Sequence, residues 1–175
     1  MNPWTRALRE GLVTGSIASI ASAIALALAG RRENHHPAAP VNAVSHWVWD
    51  REALCADKPT VRHTVTGYLV HHGASVFWGA LHARAWGMHP ANRKPVPALA
   101  GAAVASALAC FVDYNLTPRR LTPGFEHRLS RRSMAFVYAS FALGLAAGTV
   151  LLRRQAAPGA RRTRAAPQPP QSPAS

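Results

Sequence analysis

GLVTGSIASIASAIALALAG, residues 11–30, carries no charged side chain over about the 20 residues that a helix needs to cross the hydrocarbon of a bilayer. Its aliphatic residues are diluted by Thr14, Ser16, Ser19 and Ser22, and Ala27-Leu28-Ala29 has the small-x-small form of a signal-peptide cleavage site. Against cleavage stands a periodicity. Gly11, Gly15, Ser19, Ala23 and Ala27 recur every four residues and lay a smooth stripe along one helix face, where a neighbouring backbone can approach. The stretch is therefore read as a retained membrane span.

Three further apolar blocks follow, at residues 64–86, 96–116 and 133–152. The second contains His71, His72 and His82; the third is mostly Ala, with Gly101, Ser106 and Cys110, and ends in Asp113-Tyr114-Asn115. In the fourth, Ser140, Gly144 and Gly148 again fall at intervals of four, a second small-residue contact stripe. The connection from residue 31 to 62 is broken by Pro37, Pro40 and Pro59, and a loop of that length usually holds structure of its own. Within it, residues 41–54 place Val44, Trp47 and Val48 at helical spacing before Asp50, Arg51 and Glu52. This predicts a short helix on the membrane surface, with Trp47 and Trp49 at headgroup depth. Between the last two blocks, Pro118, Pro123 and Gly124 force turns.

The fold expected is thus all-α: a four-helix transmembrane bundle over residues 1–152 with a short interfacial helix in its first loop. Residues 153–175, rich in Arg, Ala and Pro, lack hydrophobic periodicity and are expected to be disordered. At 175 residues the chain has room for one domain.

A net charge of +13 in a soluble chain suggests nucleic acid. Here Arg31-Arg32, Arg119-Arg120, Arg131-Arg132 and Arg153-Arg154 sit at the ends of apolar blocks, where guanidinium groups reach lipid phosphates while their stems stay in hydrocarbon. No helix-turn-helix, zinc-finger or RNA-binding signature accompanies the charge, so the lipid bilayer is the expected partner and nucleic acid is not. Positive charges balance between the two sides of a four-span topology, and the basic tail tips the orientation towards both termini in the cytoplasm. Cys55 and Cys110 show no metal-ligand spacing and make no disulfide framework.

Ionisable side chains in hydrocarbon are costly, so His71, His72, His82 and Asp113 carry a functional hypothesis. The eleven positions from His71 to His82 return a helix to within about 20° of its starting direction, so these two share a face with Ser75 and Trp78, about 16 Å apart along the axis. One metal ion cannot be held by both. A metal or haem site would have to draw on His46, His71 and His72, and the blocks at 11–30, 96–116 and 133–152 contain no histidine at all. Nor does the set of histidines match the motifs of membrane di-iron enzymes. Four short helices also characterise small multidrug transporters, but the carboxylate those need in the first helix is represented only by Glu10 at its outer edge. A proton or ion path through His71, His72 and Asp113 is a further alternative.

The segments from His36 to Trp47, from Gly67 to Trp78 and from Asp113 to Glu126 resemble stretches of small uncharacterised bacterial inner-membrane proteins. That resemblance implies membrane location and bacterial origin and brings no activity with it. The sequence leads to a non-enzymatic assembly or accessory component, associating with itself or a larger membrane complex, and Gly11, Gly15, Ser19, Ser140, Gly144 and Gly148 mark close helix packing, within one chain or between copies. Ser75, His82 and Asp113 are its intramembrane polar residues.

Overall fold

A computed structural model describes residues 2–156, and its described part is helical with no strand. The long helices are α1 (Pro3–Asn34), α4 (Thr66–His82), α5 (Pro95–Asn115) and α6 (Arg131–Ala156); two short ones, α2 (Ala39–Val44) and α3 (His46–Leu54), lie in the first connection. Helix α1 starts where Asn2 accepts the Trp4 amide and Pro3 supplies a first-turn φ; it stops at His35, which turns left-handed. Of the stretch expected to be a disordered tail, residues 153–156 continue α6, and 157–175 lie outside the described residues.

Among the described residues three helices are long and apolar enough to cross a membrane: Pro3–Asn34, Pro95–Asn115 and Arg131–Leu152. Helix α4 has 17 α-helical residues, fewer than the roughly 20 that a bilayer asks for. It is extended on both sides by π-helical turns, Val61–Val65 and Ala83–Gly87, so the backbone is helical without a break from 61 to 87.

Contact pairs fix the topology. Gly11 abuts Ala80 and Gly15 abuts Val76, so α1 and α4 run antiparallel; Thr14 meets Gly148 and Ala18 meets Gly144, so α1 and α6 do as well. Ser106 Oγ donates to the Tyr138 carbonyl oxygen at 2.7 Å and Tyr114 lies by Met134, which sets α5 antiparallel to α6. Helix α1 packs along its length against α4 on one side and α6 on the other, α5 packs on α6, and α4 and α5 scarcely touch. The seam between α4 and α5 is open.

The connections at one end build a roof. The stretch expected to be one surface helix is two helices, α2 and α3, and every residue from Ala39 to His46 is buried. Burial of so polar a segment is made affordable by Asn42, which donates to the carbonyl oxygens of Ala56 and Lys58 at 2.9 and 3.0 Å and accepts from Thr64 Oγ1 at 2.7 Å. Within α3 the helix is interrupted at Asp50, whose φ of 46° is left-handed. Trp47 and Trp49 donate their indole N–H groups to the carbonyls of Thr122 and Arg62, so both are tied to protein backbone. Arg128 joins the two loops by donating to the Leu54 carbonyl at 3.0 Å and pairing with Asp57. Glu33 at the end of α1 accepts from the amide and hydroxyl of Ser130 and from the Ser133 hydroxyl, which caps α6. At the opposite end, Arg93 pairs with Glu10 and donates to the Gly87 carbonyl.

Candidate functional site

The open seam between α4 and α5 is a cavity of about 440 Å³ beneath the roof. Helix α4 contributes His71, Gly73, Ala74, Ser75, Phe77 and Trp78 to its wall, α5 contributes Ala109, Val112 and Asp113, and α6 contributes Val137, Tyr138 and Phe141. Ser22 of α1 forms the floor; Trp47, Leu121, Pro123 and Phe125 close the end. The roof reaches this position through Gly124, whose φ of 87° favours glycine and where a Cβ would stand 2.5 Å from the Ala43 carbonyl oxygen and 2.6 Å from His46 Nδ1. With a large apolar area and a few convergent polar groups, the cavity has the composition and size of a small-molecule site.

Its polar groups are held by specific partners. Ser22 Oγ lies 2.9 Å from His71 Nε2 and 2.7 Å from the Ala18 carbonyl oxygen. A hydroxyl has one proton; if Ser22 gives it to Ala18, His71 donates from Nε2 and its Nδ1 carries the lone pair. Ser75 Oγ donates to the His71 carbonyl at 2.8 Å. Tyr138 OH donates to Asp113 Oδ2 at 2.6 Å, and Tyr114 packs edge-on against the Tyr138 ring. The arginines of the neighbouring loop pair away from Asp113: Arg120 with Asp50 and Arg128 with Asp57.

The candidate metal ligands do not converge. Among the described residues no group of three or more His, Cys, Asp or Glu is placed to hold a metal ion. His46 turns Nδ1 back to the Ala43 carbonyl under the roof, His71 faces α1, and His72 stacks on Tyr68 of its own helix. His82, on the same helix face as His71, is buried towards the other end, with no hydrogen-bond partner for either ring nitrogen among the described residues. The two small-residue stripes serve packing inside the chain. A Cβ at Gly11 or Gly15 would stand 2.5–2.6 Å from backbone atoms of α4, and one at Gly148 would stand 2.7 Å from Thr14 Cα; Gly144 is closer still to Ala18. Ser19 is fully buried and Ser140 half-buried.

Sequence reading singled out His71, Ser75 and Asp113, and the fold brings all three to one cavity. It missed Ser22, Tyr138 and the aromatic wall. The four-residue spacing of Ser22 from Ala18, which places both on the face that α1 turns inward, is the one signal that pointed to Ser22. Compared with known proteins, the chain matches no family model, no curated protein and no solved structure.

Proposed function

We propose that the chain is a four-span membrane protein that works as a non-enzymatic accessory component, by binding in the α4–α5 groove. The observation that carries this reading is an inverted distribution of side chains. On α1 the outward residues are Leu8, Leu12, Ile20, Ile24 and Leu28, each more than half exposed, while Thr14, Ser19 and Ser22 are fully buried with Ala18 and Ala25. Leu69 and Phe77 on α4, Val104, Leu108 and Phe111 on α5, and Phe136 and Leu143 on α6 repeat the pattern. In water such an exterior is a large apolar patch over the whole bundle; in lipid tails it is the favoured surface, and small and hydroxyl-bearing residues are what helices use to approach each other there.

The fourth crossing rests on α4, whose π turns lengthen it and whose outward Leu69 and Phe77 continue the apolar belt. A binding role is favoured because the groove's polar groups are engaged with neighbouring helices, as structural fasteners are. Within this reading the host is a bacterial inner membrane, and the basic residues 153–164 favour cytoplasmic termini. Reporter fusions at both ends test the span count: four crossings put the termini on the same side, whereas three, with α4 held outside the bilayer, put them on opposite sides.

A further inference from the structure

The groove carries chemistry more specific than an apolar cleft. Six aromatic side chains line it: Trp47, Trp78, Phe125, Tyr138 and Phe141, with the largely exposed Phe77 at its outer rim. Among the described residues no lysine or arginine lines it, although the chain carries 20 of them. Its one acidic lining residue is Asp113, and none of the ion pairs among the described residues involves Asp113. Tyr138 supplies a single neutral hydrogen bond to Oδ2. Asp113 therefore stands in an apolar, aromatic setting with no base paired to it among the described residues.

From this juxtaposition we propose that the α4–α5 groove is a binding site for a lipophilic cation, such as a hydrophobic amine or quaternary ammonium compound. Asp113 faces the positive charge, and the aromatic walls take the apolar body. A cation in a dry aromatic cage gains both from the carboxylate, whose own desolvation it offsets, and from the ring faces. Anionic amphiphiles meet the opposite: repulsion at Asp113 and no guanidinium or ammonium group on the lining. That the ligand enters sideways from lipid rests on the four-span reading; the site's preference for charge does not.

Gly73 supplies a clean way to close the groove. It lies on the wall, it is exposed, and a Cβ built there meets nothing within 4 Å. A large side chain at 73 therefore occupies the cavity without pushing on a neighbouring helix. The test uses the full chain in a non-ionic maltoside detergent and two ions of matching shape and opposite charge, tetraphenylphosphonium and tetraphenylborate, read by quenching of tryptophan fluorescence and by calorimetry. The phosphonium is expected to bind saturably and the borate at least tenfold more weakly. Asp113→Asn, which keeps an acceptor for Tyr138, is expected to weaken phosphonium binding at least tenfold, and Gly73→Trp to abolish it with the helical signal and melting temperature retained. Equal binding of the two ions, no saturable binding of the phosphonium, or undiminished affinity in Gly73→Trp would overturn the proposal. If Asp113→Asn fails to fold, the Gly73→Trp variant and the ion pair decide alone. Termini found on opposite sides would instead overturn the four-span reading and leave this result standing.

Discussion

The seams on either side of α1 are lined by small residues and the seam between α4 and α5 mostly by aromatic ones, and they differ in what a side chain added to a glycine would meet. At Gly15 and Gly79 it would meet facing backbone at 2.6 and 2.9 Å; at Gly73, six residues before Gly79 on the same helix, it would meet open space. Close backbone approach is the chief source of helix association in lipid, where apolar burial gives no advantage over the solvent. The α1 seams thus hold the bundle together, and α5 is held opposite α4 by its packing on α6, with scarcely any contact to α4 itself. Stability and binding are assigned to different seams.

The contrast breaks most visibly by substitution at its glycines. Gly15→Val and Gly144→Val are expected to lose about 3 kcal/mol, the upper end for overpacking, because the obstructing atoms are backbone and cannot turn aside. Gly73→Ala is expected to gain about 0.5–1 kcal/mol from helix propensity alone. Reversible unfolding in mixed detergent micelles reads both, and similar losses at the three sites would erase the distinction between seams.

The roof is next in size. Asn42→Ala leaves two carbonyl groups and the Thr64 hydroxyl without their partner, and a cost of about 2 kcal/mol follows from the loss of a buried hydrogen-bonded group. The same unfolding assay measures it, with faster hydrogen exchange expected at residues 39–64; a change below a few tenths of a kcal/mol would mean that the roof is held by other contacts. Smaller is Ser22→Ala, which removes the bond from the floor of the groove to His71. Hydrogen bonds between helices in lipid average about 0.6 kcal/mol, and a loss of that order is expected, checked against Thr14→Ala, whose hydroxyl has no partner among the described residues.

The smallest effect is electrostatic and lies outside the apolar stretches. The Ser130 hydroxyl, then the Ser133 hydroxyl and the Ser130 amide, hold the Glu33 carboxylate below its usual pKa of 4.5. A depressed folded-state value means stability that is present above the unfolded pKa and lost as pH falls through the folded one. The melting temperature is therefore expected to drop below pH 4.5 by slightly more in the wild type than in Glu33→Gln, with the difference small because Glu33 is exposed. Parallel pH profiles would remove Glu33 from the fastening of α1 to α6.

Much of this was readable from residue spacing. The uncharged stretch at 11–30 and the four-residue stripes of Gly11 and Gly144 give long helices with faces for close packing, and His71, Ser75 and Asp113 stood out as polar groups in apolar surroundings. Other features depend on partners far along the chain. Residues 41–54 have the pattern of a surface helix, and the burial of 39–46 depends on the Asn42 bonds to Ala56, Lys58 and Thr64. The cage around Asp113 draws Trp47 and Phe125 from two loops, and no local period announces that they meet. Gly73 and Gly79 look alike in sequence; their difference is the presence or absence of α1 opposite them.

A spin label attached at residue 73, and for comparison at residue 79, in a Cys55→Ser, Cys110→Ser background reconstituted in lipid bilayers tests the central claim most directly. The expected spectra show a mobile, oxygen-accessible label at 73 in a folded protein, and at 79 either an immobilised label shielded from oxygen or a bundle that no longer assembles. A label at 73 that is as immobile and shielded as the one at 79, or that is reached by a water-soluble relaxant and not by oxygen, would contradict an open groove facing lipid.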